Sequence, residues 1–167
     1  MPSISYSYGI FDNSSDLIGV LTIGKPVSNA LCEGVCGKEY KGKVFELNRL
    51  VVNDGLPKNT LSYFVGQVLK DLKILDLILV SYSDMGMSHH GYIYQATNWI
   101  YTGATRTRTD KYTPKGKHSR HYTDEHNHLR KVRSSKHRYV YFTGTSRKMF
   151  LDILKYKIEV RQGSTTG

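Results

Sequence analysis

Long apolar runs are missing from this sequence of 167 residues. No stretch approaches the roughly 18 consecutive apolar residues of a membrane span. The first residues, MPSISYSYGIFDNSSD, lack the basic region and apolar core of a secretion signal. We therefore expect no membrane association and a cytoplasmic location. A chain of this length predicts a single domain, spanning residues 1–167, that needs no disulfide or metal to fold.

Cysteine is scarce, with only Cys32 and Cys36 present, four residues apart in a glycine-rich stretch. The spacing is compatible with a disulfide, with half of a metal site and with two free thiols. Since a cytosolic compartment keeps thiols reduced, we favour two free thiols.

Acidic residues are also few, with 14 Asp and Glu against 24 Lys and Arg and a net charge of +10. Eleven basic and only three acidic residues lie between positions 105 and 138, so this segment carries +8 of that charge. Such a concentration is typical of nucleic-acid binding, and we predict a basic DNA-contacting insertion at about 103–137. The alternative is a solvated, disordered loop. The predicted DNA-binding residues are Arg106, Arg108, Lys111, Lys115, Lys117, Arg120, Arg130, Lys131, Arg133, Lys136 and Arg138.

Hydrophobic patterning predicts alternating strands and helices. The predicted strands are 6–11, 17–23, 44–52, 75–81, 138–143 and 156–160, of which the first two form a hairpin and the last is the weakest. The predicted helices are 61–72, 88–97 and 146–154, and 34–42 is predicted as a loop. This order indicates an α/β (α+β) fold, with a mixed central sheet flanked by helices.

A polar turn joins the strand ending at Val52 to the first helix, for which Asn59 is the predicted N-cap. Free N–H groups and the positive end of the helix dipole bind anions at such a place, and a pyrophosphate would fit. The alternative is an ordinary capped helix without a ligand. The residues that would supply the N–H groups are Lys58, Asn59, Thr60, Leu61 and Ser62.

A second group of polar and aromatic residues follows the strand 75–81. Tyr94 precedes Asn98, which suits the left-handed end of a helix, and Trp99 comes next. Tyr94 is interpreted either as a packed core residue or as a proton donor. His89 and His90 are adjacent and could bind a metal, although no histidine spacing here matches a known metal signature, and a His-rich DNA-contacting loop is favoured.

Together these segments resemble the GNAT superfamily of N-acyltransferases. Its fourth strand often reads Glu-Leu-x-x-Leu-x-Val, which ELNRLVV at positions 46–52 matches. A phosphate-cradling helix, a fifth strand and a helix ending in Tyr-x-x-x-Gly-Phe follow in the superfamily. Here the last motif is Tyr94-x-x-x-Asn98-Trp99, and KNTLS at 58–62 replaces the usual Arg/Gln-x-x-Gly-x-Gly loop.

Where the sequence departs from that pattern, it resembles the bacteriophage Mom family, and this resemblance covers about residues 44–158. The matching segments are LVV at 50–52, PKNxxS at 57–62, VSYSD at 80–84, HHGxxYQATNW at 89–99 and KHRYVY at 136–141. The resemblance implies a phage- or prophage-encoded enzyme that modifies the exocyclic amine of adenine in double-stranded DNA with a methylcarbamoyl-type group, protecting it from restriction. Acetyl-CoA or a related acyl-CoA, and also iron, are the cofactors it suggests.

The resemblance also suggests roles for individual residues. Leu50, Val51 and Val52 join the turn residues 58–62 in binding the cofactor, and His89 and His90 lie nearest to any iron. Glu46 is the expected general base with Asp84 as its rival, because a delocalised amine must lose its proton during attack. Tyr94 would protonate the leaving thiolate. The residues expected to orient the base are Ser81, Tyr82 and Ser83.

An adenine inside a duplex must be flipped out for this chemistry, and Tyr82, Tyr92 or Trp99 could stack on it. For Trp99 we favour core packing instead. Two other functions stay open: a GNAT enzyme that acetylates a protein or small amine, and a basic DNA-binding protein without enzymatic activity. The sequence leaves the oligomeric state open, with a dimer among the options.

Overall fold

A six-stranded mixed sheet organises the protein in the computed structural model, which describes residues 3–84, 90–111 and 130–160. The strand order is β1-β2-β3-β4-β8-β5, and only β3 and β4 pair in parallel. The strands of this sheet are β1 (Tyr6–Phe11), β2 (Leu17–Gly24), β3 (Val44–Val52), β4 (Ile78–Asp84), β5 (Ile100–Ala104) and β8 (Lys136–Phe142). The fold class predicted from the sequence is therefore confirmed.

Helices cover both faces of the sheet. They are α1 (Asn29–Gly34), α2 (Thr60–Asp71), α3 (His90–Ala96) and α4 (Arg147–Ile153), with 3-10 turns at Lys38–Lys43 and Leu72–Ile74. One buried cluster joins α2 and α3 to Phe45, Leu47 and Leu79 of the sheet, and we call this side the α2 face. A second cluster joins α1 and α4 to Val44 and Val80, on what we call the α1 face.

The apolar stripe of α2 explains its position. Phe64, Val65, Val68 and Leu69 are buried at helical spacing, as the sequence predicts. Each such side chain contributes about 1.5–3 kcal/mol when it is fully buried. The helix therefore packs on the sheet and sets the position of Thr60, where the loop from β3 ends.

The central feature of the sheet is the early end of the β3–β4 ladder. Its register comprises Val44 with Ile78, Phe45 with Leu79 and Glu46 with Val80. Beyond these pairs β3 stays bonded to β2, with a bulge opposite Thr22 and Ile23, and β4 stays bonded to β8. The carboxyl-terminal halves of β3 and β4 therefore part, and a gap opens between them.

The basic segment contains a second, two-stranded sheet. Strand β6 (Arg108–Lys111) pairs antiparallel with β7 (Arg130–Arg133), forming a ribbon inserted in the chain between β5 and β8. The sequence predicted a basic insertion here, but not the pairing of these two strands.

Other sequence predictions need correction. The strand expected at 156–160 is wrong: there a single main-chain bond runs from the Glu159 N–H to the Tyr101 carbonyl at 2.9 Å, and Val160 is exposed. Strand β4 begins at Ile78 rather than at 75, and α1 and β5 were not predicted. The left-handed helix end at Asn98 is confirmed by its φ of 63°.

Two further expectations concern the cysteines and the membrane. Cys32 and Cys36 are free and buried, as favoured from the sequence. Burial raises the pKa of the Cys36 thiol to about 11. In the part of the chain that the structure describes, no helix is long and apolar enough to cross a membrane.

Candidate active site

A cavity of about 240 Å³ occupies the gap between β3 and β4. Leu47 and Leu50 of β3 form one wall, and Tyr82 and Ser83 of β4 form the other. Tyr94 of α3 also lines it. The remaining lining residues are Asn48, Arg49, Asp84 and Lys136. We call this space the gap cavity.

Tyr94 is held firmly at this cavity. It is only 3% exposed, stacks on Tyr139 with ring centroids 4.8 Å apart and meets Trp99 edge-on at 5.1 Å. The Ser81 hydroxyl donates to the Tyr94 hydroxyl at 2.6 Å. Burial raises the pKa of Tyr94, although the bond from Ser81 opposes that shift. The phenol is therefore protonated at neutral pH and keeps its own O–H for another acceptor.

Glu46 stands where the two strands part, in the last pair of the ladder, opposite Val80. Since successive strand residues point to opposite faces, Glu46 shares the α1 face with Val44. Burial raises the pKa of the Glu46 carboxyl, and the nearby Lys136 cation lowers it in part. The carboxylate is therefore a stronger base than an exposed glutamate.

A broad depression on the α1 face surrounds this carboxylate. Two adjoining cavities of about 260 Å³ and 980 Å³ share Glu46, Tyr82, Thr105, Arg106 and Arg133 as lining residues. We call them together the cationic depression. Tyr82 also lines the gap cavity, as does Lys136, so these two side chains stand between the two spaces.

Four of the eleven predicted DNA-binding cations have side chains that the structure describes, and all four line the cationic depression. They are Arg106, Arg133, Lys136 and Arg138. Arg138 is also anchored, since its Nε donates to Thr102 Oγ1 at 2.9 Å and its guanidinium lies 3.5 Å from the centre of the Tyr156 ring. We therefore expect Arg138 to contribute more to structure than to mobile phosphate contacts.

Of the other serine and aspartate candidates, Ser83 and Asp84 line the gap cavity and none lines the cationic depression. The Asp84 carboxylate accepts from the Ser134 hydroxyl at 2.8 Å. Ser81 orients Tyr94 and not the Glu46 carboxylate. The Ser83 hydroxyl is buried and makes no hydrogen bond within the described residues.

The amino end of α2 lies at one end of a groove of about 500 Å³ between α2 and α3, which Asn59, Ser62 and Tyr63 help to line. Asn59 occupies the predicted N-cap position, but its side chain makes no capping hydrogen bond to the described chain. Instead its carbonyl accepts from the Ser62 hydroxyl at 3.1 Å. Thr60 N–H is bonded to the Pro57 carbonyl, which leaves fewer free donors than the sequence predicted.

The three predicted cofactor residues of β3 lie differently. Leu50 lines the gap cavity, as above. Val51 is exposed and pairs with Val20, and Val52 pairs with Gly19. These two residues therefore form the end of β3, before the loop that leads to α2, and they do not line the gap cavity.

Several predicted site residues cannot be placed by their side chains. His89, Lys115, Lys117 and Arg120 lie outside the described residues, and for His90 and the ribbon residues Arg108, Lys111, Arg130 and Lys131 only the backbone is described. Among the described residues, no three His, Cys, Asp or Glu side chains come together as a metal site would require. The structure therefore gives the suggested iron no support. Of the aromatic candidates, Tyr92 is exposed and Trp99 is buried in the core, as favoured.

Sequence reasoning missed part of the lining. Asn48 and Arg49 are the two variable positions of the Glu-Leu-x-x-Leu motif, and the bulge in β3 brings both to the gap cavity. Val27 and Leu31 reach the cationic depression from the region of α1, a helix too short for its periodicity to be seen.

Comparison with solved structures identifies the fold. A candidate acetyltransferase from Acinetobacter baylyi ADP1 superposes with a TM-score of 0.53 at 10% identity, covering 84% of this chain and 63% of the other. An N-acetyltransferase from Staphylococcus aureus Mu50 gives 0.51 at 14%, covering 81% and 66%. A Bacillus subtilis acetyltransferase solved with CoA gives 0.51 at 12%, covering 81% and 75%. The fold is that of the GNAT acetyltransferases, and the chain spans slightly less than two thirds of the first two.

Comparison with sequences is more specific. A family model described as the Mom protein family matches residues 1–159. A search of the curated proteins finds no match.

Proposed function

This chain belongs to the Mom protein family, and on that premise we propose that it modifies the exocyclic amine of adenine in double-stranded DNA, using acyl-CoA. The proposed product carries a methylcarbamoyl-type group, and its proposed role is protection of phage or prophage DNA from restriction. One observation carries the proposal: the gap cavity with Tyr94 and the cationic depression with Glu46 meet at Tyr82. A donor and a polyanionic acceptor can thus approach one point from two sides.

The gap suits an extended acyl-CoA. Beyond Glu46, β3 no longer pairs with β4, so main-chain groups along the parted edges are open to a ligand that bonds like a strand. The amino end of α2 would receive the pyrophosphate, with Ser62 beside it. When bound, the thioester supplies an activated carbonyl carbon.

Glu46 is the proposed general base. The exocyclic amine of adenine is a poor nucleophile because its lone pair is delocalised, so its proton must be removed as the N–C bond forms. The raised pKa of Glu46 increases its affinity for that proton. Asp84 is the rival base, and its existing bond from Ser134 makes it the less available of the two.

Tyr94 is the proposed general acid at the sulfur. Its phenol lines the gap cavity, is protonated at neutral pH and is oriented by Ser81. Giving its proton to the departing sulfur prevents the build-up of thiolate. No step of the proposed reaction uses iron.

The cationic depression is the proposed DNA site. Arg106, Arg133 and Lys136 surround the entrance to Glu46, and phosphates would bind there. The β6–β7 ribbon beside them has the two-stranded form that a major groove admits. A flipped adenine would enter next to Tyr82, whose ring can stack on it.

The test is mass spectrometry of nucleosides from DNA co-expressed with the protein. We expect a heavier deoxyadenosine with the wild type and none with Glu46→Gln or Tyr94→Phe, at equal levels of folded protein. Normal nucleosides with well-expressed wild type would overturn the proposal. In that case, transfer to a protein or small amine would identify another acceptor, and DNA affinity without acyl-CoA binding would indicate a non-enzymatic DNA-binding protein.

A further inference from the structure

The Ser83 hydroxyl is a buried polar group without a partner in the described part of the chain. Ser83 is 3% exposed and lines the gap cavity together with Tyr94. Ser81, two residues earlier on β4, is equally buried but bonds Tyr94 at 2.6 Å. Buried hydroxyls are nearly always hydrogen-bonded, so an orphan that lines a cavity points to a ligand atom.

The position of Ser83 limits which ligand that is. Residues two apart on a strand share a face, so Ser83 faces the same side as Ser81 and Tyr94, away from Glu46. The hydroxyl therefore faces the space assigned to the acyl donor and not the DNA. Alternate residues are separated by about 7 Å along a strand, so one thioester group can contact both Tyr94 and Ser83.

We propose that the Ser83 hydroxyl donates a hydrogen bond to the carbonyl oxygen of the acyl thioester. This inference rests on the proposed function and adds a catalytic residue to it. The bond would strengthen in the transition state, because the carbonyl oxygen gains negative charge as the amine attacks.

The hydroxyl keeps its proton throughout the reaction. The adenine nitrogen forms the new N–C bond while Glu46 takes the proton of the amine. Tyr94 gives its proton to the sulfur as the C–S bond breaks. Exchange with water then reprotonates Tyr94 and deprotonates Glu46, so transfer of the donor's own acyl group balances without an oxidant. Because acetyl transfer alone leaves an N-acetyl group, a methylcarbamoyl-type product requires a thioester donor whose acyl carbon already carries the methylamino nitrogen.

Calorimetry with two ligands tests this role without any turnover. Acetyl-CoA has the thioester carbonyl, which free CoA lacks. We expect Ser83→Ala to weaken acetyl-CoA binding by roughly 3- to 10-fold and to leave CoA binding unchanged, as the loss of one hydrogen bond predicts. Ser7→Ala, an exposed serine of the outer strand β1, is the matched control and should change neither affinity.

Infrared spectroscopy of bound ¹³C-carbonyl acetyl-CoA gives a second measurement. The carbonyl stretch should be lower in the wild type than in Ser83→Ala, because a donated hydrogen bond weakens the C=O bond. Without ligand, Ser83→Ala should melt no lower than the wild type, since the hydroxyl has no bond to lose.

The outcomes separate this inference from the proposed function. Equal weakening of both ligands, or an unchanged affinity for acetyl-CoA, overturns the role of Ser83 even if DNA is modified. A selective loss of acetyl-CoA affinity with unmodified DNA upholds Ser83 and overturns the DNA substrate. Failure of the wild type to bind either ligand overturns both.

Discussion

Burial raises the pKa of both Glu46 and Tyr94, and the two shifts suit the opposite roles proposed for these side chains. A carboxylate with a raised pKa is a better proton acceptor near neutral pH. A phenol with a raised pKa holds its proton more firmly until a strongly basic group forms beside it. The same physical cause thus suits both side chains to their proposed roles.

The pH dependence of the reaction should report Glu46. Turnover requires its ionised form, so kcat at saturating DNA and acyl-CoA should decrease as the pH drops through the pKa of Glu46. That pKa lies above the ordinary glutamate value of about 4.3. Lys136→Met should move this limb to higher pH, because the lysine lowers the pKa of Glu46. Lys41→Met, an exposed lysine of the 3-10 turn, should leave it in place. A limb that stays fixed in Lys136→Met would contradict the assignment.

The contribution of Glu46 to the stability of the fold should have the opposite pH dependence from its contribution to turnover. A carboxyl whose pKa is higher in the folded state contributes stability at low pH, and this contribution is lost as the pH rises through the folded pKa. Glu46→Gln should therefore raise the melting temperature at pH 8 relative to the wild type, with a smaller gain at pH 4. A lower melting temperature at pH 8 would show that the ionised carboxylate has a stabilising partner.

A double-mutant cycle should measure the Ser81–Tyr94 bond. Tyr94→Phe leaves the Ser81 hydroxyl buried and unpaired, which costs about 1–3 kcal/mol. Adding Ser81→Ala removes that hydroxyl, so the double variant should lose about 1 kcal/mol less than the sum of the singles. Urea unfolding measures all four free energies. Combining Tyr94→Phe with the distant Ser7→Ala should give additive losses.

At the scale of elements, the sequence predicted most of the sheet and α2 because their apolar periods are long and regular. The α1 helix was missed since six residues show too little of a helical period. Strand β5 and the ribbon were missed because glycine, threonine and basic residues replace the alternation of a half-buried strand. The strand expected at 156–160 failed because Ile158 and Val160 are apolar but exposed, and only one main-chain bond, from Glu159 N–H to the Tyr101 carbonyl, joins the segment to β5.

The site was predictable only in part for the same reason. The motif on β3 gave Glu46 and the helix end gave Tyr94, since each follows a local pattern. Prediction of the cationic depression would have required knowing that residues 106, 133 and 136 come together at the base of the β6–β7 ribbon. That convergence depends on the pairing of β6 with β7, which no local pattern reveals.

The cations at the base of the ribbon should dominate the salt dependence of DNA binding. Each phosphate contact contributes about 0.9 to the slope of log K against log salt concentration. Arg106→Gln with Arg133→Gln should therefore reduce the slope by about 1.8, as measured by fluorescence anisotropy across a salt series. Lys38→Gln with Lys41→Gln, an equal charge loss on the 3-10 turn, is the control. An equal effect of both pairs would indicate non-specific attraction.

At the scale of the whole molecule, the proposed sites for the two substrates lie on opposite faces of one sheet. The only thiols, Cys32 and Cys36, are buried in the cluster under α1 and α4 and away from the gap cavity. Direct transfer between the two substrates is therefore expected, without a covalent enzyme intermediate.

Initial-rate kinetics should show this. Double-reciprocal plots should intersect, as for a ternary complex, and should not be parallel as for ping-pong transfer. Iodoacetamide should leave the native enzyme active, because the pKa of Cys36 is about 11 and both thiols are buried. Parallel plots would contradict direct transfer.

The short β3–β4 ladder has a mechanical consequence. Six register pairs join β2 to β3 and seven join β4 to β8, whereas three join β3 to β4. The sheet thus consists of two extensively paired halves joined by a short β3–β4 ladder, and the proposed donor site lies where the two halves diverge. A ligand hydrogen-bonded to both halves would hold them together, so we expect the amide hydrogens of the β3–β4 ladder to exchange more slowly once it is bound.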